Sequence, residues 1–186
     1  GNLVFGVVTL AGFGFLYPLA GATLGRVAFP RQANGSLVTV DGVPRGSSLV
    51  AQPFAGARYF QPRPSAANYD PMAGAGSNLA RSKPDLRRRI DDSTALIARR
   101  DGIAPEQVPA ELVTQSGSGL DPHLSSSGAR VQVARVARER GLTRAEGGAL
   151  VAAHTEPASF GVLGARRANV LELNLALDAH ASHDAR

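Results

Sequence analysis

The residues best suited to chemistry lie in one short run, Val113-Thr114-Gln115-Ser116-Gly117-Ser118-Gly119-Leu120-Asp121-Pro122-His123. Hydroxyls, a carboxylate and an imidazole are the ingredients of nucleophilic catalysis. Ser118, however, lacks the G-x-S-x-G spacing, and sequence neighbours seldom reach triad geometry. A hydrolase using Ser118 and His123 is therefore only the second reading. Ser116, Gly117, Ser118, Gly119 and Asp121 fit a nucleotide or phosphate cradle better, because tight Ser/Gly turns aim successive backbone N–H groups at an anion. The simplest reading is an ordered turn in which Asp121 and the serines bond local backbone.

Other chemistries are excluded or left without support. The 186 residues contain no Cys, which removes disulfides, thiolate nucleophiles and Cys-ligated metals. The only lysine, Lys83, sits between Ser82 and Pro84, so there is no Walker-type phosphate loop, and no His precedes a Glu as a H-E-x-x-H zinc site requires. His123, His154, His180 and His183 are scattered, and no metal is assigned. The net charge of +5 and pI near 10.6 invite a nucleic-acid reading. The basic residues are spread along the chain and rarely interleave with aromatics, so no nucleic-acid partner is expected.

The elements that must carry the Ser116–His123 run begin with a membrane segment. From Gly1 to Gly25 no side chain is charged, and Leu3 to Leu24 is apolar apart from Thr9, Tyr17, Pro18 and Thr23. Roughly 20 residues cross a hydrocarbon core, so residues 1–25 are read as a transmembrane helix and 26–186 as a soluble accessory domain. The rival is a signal peptide with Ala20-Gly21-Ala22 as its cleavage site, but the apolar run is long for one. Gly21 and Gly25 form a G-x-x-x-G pattern, with Gly6, Gly12 and Gly14 as further points of close helix approach. Pro18 removes a backbone donor and is expected to disturb the helix. Arg26 and Arg31 alone would draw the downstream side toward the cytoplasm; charge bias does not fix the topology.

Residues 30–83 read as loop-rich with short strands, drawn from Leu37-Val38-Thr39-Val40 and Ser48-Leu49-Val50-Ala51. Asp41-Gly42 is a hairpin signal, and Pro44 confines the second strand to an edge. Tyr59, Phe60 and Tyr69 suit the core of a small sheet better than a partner surface. Residues 84–178 read as mainly helical. One helix runs from Pro84 to about Arg100 with Leu86, Ile90 and Ile97 inward and Arg87, Arg88 and Arg89 solvated. A second spans about Ser127 to Arg140, with Val133, Val136 and Ala137 inward and Gly141 as its stop. Thr143 with Glu146 forms a capping box opening a third, through about His154. Alternating leucines at 171, 173, 175 and 177 suggest a strand, but Asn169 with Glu172 and the Leu/Ala content favour a capped helix. The fold class is thus a single N-terminal transmembrane helix followed by a small α/β (mixed α+β) soluble domain.

Several segments carry a family likeness in order along nearly the whole chain. They are Ala33-Asn34-Gly35-Ser36-Leu37, Tyr59-Phe60 with Arg63-Pro64-Ser65-Ala66, Gly76-Ser77-Asn78-Leu79, Leu112-Val113-Thr114 with Ser116 to His123, and Asn169 to Asp178. On these the chain resembles the C subunit of the Kdp-type potassium-transporting ATPase. It departs from the family pattern at Ala75, Ala80-Arg81 and Gln115, which bears on local contacts only.

The resemblance implies a non-catalytic accessory subunit of a high-affinity, ATP-driven potassium importer. Its implied partners are a K⁺-binding channel-like subunit, a P-type ATPase subunit, a small membrane peptide and the bilayer. The chain itself has no Asp-Lys-Thr-Gly phosphorylation motif and no Thr-Val-Gly-Tyr-Gly filter. Two roles follow from the family: raising the pump subunit's ATP affinity as a catalytic chaperone, with Ser116 to Asp121 near the nucleotide, or bracing the K⁺ entrance from outside. A hydrocarbon core about 30 Å thick makes these mutually exclusive for direct contact. The resemblance favours a single-pass cell-membrane protein with an extracytoplasmic body, no cofactor of its own, and ATP met only through the pump subunit.

Overall fold

The computed structural model describes residues 1–184, with side chains through His180. The chain divides into two units, Gly1–Ser47 and the residues from Ser48 onward.

The first unit opens with helix α1, Asn2–Ala28, whose most apolar 18-residue stretch has a mean hydropathy of 1.9 and no buried residue. Leu3, Phe5, Phe13 and Leu24 all project outward. At 1.5 Å per residue α1 is about 40 Å long, ample for a hydrocarbon core. No charge interrupts it before Arg26, and it stops where Phe29 leaves helical geometry ahead of Pro30. The effect of Pro18 is a stretch of wider π winding over Leu10–Leu16, just upstream. Widening the preceding turn relieves the clash between the proline ring and the carbonyl four residues back.

A single turn, α2 (Pro30–Ala33), leads into strands β1 (Leu37–Val40) and β2 (Val43–Ser47). They pair antiparallel with Val40 opposite Val43. Asp41 and Gly42 have φ of 51° and 75°, the two left-handed residues a tight hairpin requires. The register shifts between Val38 and Thr39, beside Pro44.

In the second unit, residues 48–83 contain no strand among the described residues. The expected strand at Ser48–Ala51 is therefore corrected to irregular chain, although Ala51 is buried and donates its N–H to Leu120 C=O at 2.8 Å. Helix α3 (Pro84–Asp101) is ended by Gly102 at φ 67°. A short 3₁₀ turn and helix α4 (Ala110–Val113) lead to strand β3 (His123–Ser125).

The expected single helix over 127–140 is two: α5 (Ser126–Arg130) and α6 (Val133–Arg140). The break falls at Val131-Gln132, where Gln132 turns its side chain inward to bond the segment around Gln61. Helix α7 (Arg144–Ala153) has the full capping box: Glu146 N–H donates to Thr143 Oγ1 at 3.2 Å and Thr143 N–H to Glu146 Oε2 at 2.7 Å. Strands β4 (Thr155–Glu156) and β5 (Arg167–Asn169) complete an antiparallel sheet ordered β3-β5-β4.

Helix α8, Val170–Asp184, resolves the C-terminal ambiguity. Asn169 Oδ1 accepts from the N–H groups of Leu171 and Glu172, and the buried Val170, Leu173, Asn174 and Leu177 follow helical spacing. The core joins Phe60, Ile97, Leu112, Leu124, Val136, Val151, Leu173 and Leu177. Each such leucine contributes about 2 kcal/mol by leaving water. Phe60 is a core aromatic, as expected, but on irregular chain and not in a sheet.

Candidate functional site

The Ser116–His123 run is a closed turn held by chain distant in sequence. Ser116 is buried and its N–H donates to Pro64 C=O at 3.1 Å. Gly119 N–H reaches Ser116 C=O at 3.2 Å, Leu120 N–H the Ser118 hydroxyl at 3.1 Å and Asp121 N–H the Ser116 hydroxyl at 3.4 Å. His123 N–H donates to Asp121 Oδ1 at 3.1 Å. The two serine hydroxyls lie 3.3 Å apart.

Gly119 is needed for two reasons: its φ is 71°, and a Cβ there would lie 2.6 Å from Ala75 C=O. At Gly76 a Cβ would lie 2.8 Å from Gly117 C=O, so the two loops run backbone against backbone. Gly117 itself has open space around it.

Asp121 is the electrostatic centre. Its Oδ2 accepts from Arg63 Nη1 at 3.0 Å, and its Oδ1 lies 3.4 Å from His123 Nδ1. Hydrogen bonds from His123, opposed by partial burial and reinforced by Arg63, hold its pKa down at about 2. His123 thus faces Asp121, while the Ser118 hydroxyl is engaged with Ser116 and Leu120. Strand pairing sets His123 opposite Asn169, whose side-chain amide donates to Ser48 C=O at 2.7 Å. The segments around Arg63, Gly76, Ser116–His123 and Asn169, separate in sequence, meet here.

Beside Asp121 lies a groove of about 330 Å³ lined in part by Glu111, Asp121, His123, Ser125, Arg166 and Arg167. Glu111 accepts from the Ser125 N–H at 3.1 Å and from its hydroxyl, and packs so closely on Gly128 that a Cβ there would be 2.0 Å from Oε1. The remaining histidines go elsewhere. His154 Nδ1 contacts Leu150 C=O at 3.0 Å, His180 lies on α8, and the His183 side chain is outside the described residues. Among the described residues no group of three or more His, Asp or Glu is placed to hold a metal.

Polar residues that the sequence left unremarked form the second constellation. Arg135, fully buried, donates to Asp101 Oδ1 at 2.6 Å, Tyr59 C=O at 2.9 Å, Gln132 Oε1 at 2.7 Å and Ala57 C=O. Burial draws its pKa down and Asp101 draws it back up. Arg140 donates to Asp178 at 2.7 Å and lies over the Tyr59 ring, 4.7 Å from its centroid. Helical periodicity marks Arg135 as flanking an apolar stripe, not as part of the core; nothing local announces its partners.

The comparisons with known proteins agree on a single family. The family model described as "K+-transporting ATPase, c chain" (KdpC) matches residues 1–179. A potassium-transporting ATPase KdpC subunit from Xanthomonas oryzae pv. oryzae is 60% identical over 178 residues, covering 96% of this chain and 85% of the relative. The subunit of that name from Xanthomonas axonopodis pv. citri is 60% identical over 179 residues, with 96% and 87% covered. That from Kineococcus radiotolerans is 49% identical over 178 residues, with 95% and 90% covered. The match takes in both the apolar helix and the body with its Ser116–His123 turn, and the chain belongs to the KdpC family, the c chain of K⁺-transporting ATPases.

Proposed function

We propose that this chain is a non-catalytic, single-span accessory subunit of an ATP-driven potassium importer. In this reading α1 docks among partner helices, and the body sits outside the cytoplasm, bracing the K⁺ entrance of the channel-like subunit. The P-type ATPase subunit and a small membrane peptide complete the assembly. The observation that carries the reading is the family match across residues 1–179. The uncovered apolar surface of α1, none of whose most apolar stretch is buried, supports it, since such a surface calls for lipid or another helix.

A direct nucleotide site at Ser116, Gly117, Ser118, Gly119 and Asp121 draws less support. The N–H groups of Ser116, Gly119, Leu120 and Asp121 are already committed inside the protein. Asp121 also places a carboxylate where phosphate would approach. An effect on ATP affinity then runs through the complex, by different contacts with two states of the pump.

The test is topology. Ala152 is exposed on α7 and the chain has no native Cys, so Ala152→Cys provides one addressable thiol. Labelling of intact cells by a membrane-impermeant thiol reagent is the expected result. Labelling only after lysis would overturn the outer placement and return Ser116–Asp121 to contention as a nucleotide contact. Ser118→Ala should leave assembly and transport nearly unchanged; lost turnover in an assembled complex would favour the hydrolase.

A further inference from the structure

Counting about 20 residues back from Arg26, the first charge, sets the middle of the hydrocarbon core near residues 15 and 16 of α1. Two polar groups close to that depth have no partner among the described residues. Pro18 has no N–H, and the Tyr17 N–H, which in a regular helix would reach Phe13 C=O, donates to Gly12 C=O instead. Phe13 C=O thus loses the donors that α or π winding would give it. The Tyr17 hydroxyl is the second group, on a side chain that is 73% exposed.

Tyrosines of membrane helices gather at the two interfaces, where the hydroxyl meets water. From mid-depth the interface is about 15 Å away, farther than a tyrosine side chain extends. Lipid tails offer neither donor nor acceptor, so a freed carbonyl or a hydroxyl in hydrocarbon is costly unless a neighbouring helix bonds it. Thr23 shows the self-sufficient alternative: its hydroxyl donates to Leu19 C=O at 2.8 Å.

We infer that the Phe13 carbonyl and the Tyr17 hydroxyl are a mid-membrane docking point for one helix of the K⁺-binding channel-like subunit, bonded by a carboxamide side chain, Asn or Gln, that this helix presents at the same depth. The inference rests on the accessory-subunit reading, which seats the body on that subunit and so sets α1 beside it. Chemistry selects the side chain. A carboxamide is donor and acceptor at once and brings no charge into hydrocarbon. Ionised carboxylates only accept, and ammonium and guanidinium groups only donate. Ser and Thr hydroxyls are readily spent on the carbonyl four residues back in their own helix, as that of Thr23 is. A second copy of α1 does not supply the group, because its one carboxamide, Asn2, stands about 20 Å from mid-depth. Ala20 and Gly21, three and four residues beyond Tyr17, are small enough for a helix to come near on that side.

The test uses the full complex carrying the photo-reactive residue benzoylphenylalanine at position 17, with position 19 as control because Leu19 lies about 160° round the helix. The expected result is a crosslink from position 17 to a helix of the channel-like subunit, mapped by mass spectrometry to within one turn of an Asn or Gln, at a yield well above that from position 19. A yield no higher than the control, crosslinks to lipid alone or to another subunit, or a mapped turn without a carboxamide overturns the contact, while recovery of the complex leaves the accessory-subunit reading standing. Failure of the chain to co-purify with ATPase subunits overturns both. Tyr17→Phe removes the hydroxyl alone, so it should keep the body's Tm and yet raise the apparent dissociation constant of the chain from the complex in detergent micelles about threefold, the size of one interhelical hydrogen bond. An unchanged constant would mean that no helix bonds the hydroxyl, and overturns the inference.

Discussion

The side-chain amide of Asn174 closes a two-bond ring on the backbone of Phe60, accepting its N–H and donating to its C=O, each at 2.9 Å, with both residues fully buried. Gln132 repeats the arrangement on the next residue, accepting from Gln61 N–H at 2.8 Å and donating to Gln61 C=O at 3.0 Å. Helix α8 and the break between α5 and α6 thereby supply, from side chains, the hydrogen bonds that a neighbouring strand would otherwise provide. Phe60 and Gln61 are held in place without a sheet.

Asn174→Leu keeps the volume and removes both bonds, leaving two buried backbone groups of Phe60 without partners. The expected loss is about 2–4 kcal/mol. Denaturant unfolding of the full chain in detergent micelles measures it, and a loss below about 0.5 kcal/mol would mean that water replaces the amide.

Asp101 is 4% exposed and is bonded by Arg135 and by Arg100 Nη2 at 2.7 Å. Arg135→Met strips away one of its two cations and three further hydrogen bonds, a loss of about 3–5 kcal/mol. Asp101→Asn combined with Arg135→Met should be less damaging than the sum of the two single changes. A double-mutant cycle checks this, and strict additivity would contradict the coupling.

Gly119 and Gly117 separate the strain of the turn from its use. Gly119→Ala drives a Cβ into Ala75 C=O at positive φ and should destabilise the body by about 1–3 kcal/mol. Gly117→Ala meets no atom within 4 Å and should leave Tm unchanged. Potassium uptake by the assembled complex should also survive Gly117→Ala; its loss with assembly intact would point to a ligand at Gly117.

Asp121 titrates at about 2 in the folded chain, below its usual value of 3.8. A depressed carboxylate stabilises the fold above the unfolded pKa, and that contribution disappears as pH falls through the folded one. Between about pH 4 and pH 2 the parent should lose stability relative to Asp121→Asn, by less than about 1 kcal/mol because the pair is partly exposed. Tm measured for both proteins across that window checks the sign; parallel curves would mean that Arg63 and His123 do not hold the charge.

What could be read from residues alone was local. Thr143 with Glu146, Asp41-Gly42 and Gly141 each act within a few positions, and each does in the structure what its spacing announces. Arg135, Gln132 and Asn174 were illegible because the partners that fix their roles, Asp101, Gln61 and Phe60, lie 34, 71 and 114 positions away. An arginine beside an apolar stripe looks the same whether solvated or buried. The β3-β5-β4 sheet escaped notice because its strands are two or three residues long, too short for an alternating pattern. Ser116 to Asp121 could be seen as a turn. That Arg63, Gly76 and Asn169 converge on it is a matter of tertiary structure, hinted at only by the family likeness of the same segments.

The wide winding over Leu10–Leu16 has a consequence for how the anchor addresses its neighbours. A single widened turn takes up about one residue more than the regular 3.6, so everything after it is turned by about 100° relative to an unbroken helix. On a regular helix Gly21 and Gly25 would stand about 60° and 100° round from Gly6, and the wide winding brings both to within about 40° of it. The small residues of the two halves of α1 thus share one side, along which a single partner helix can lie close to both.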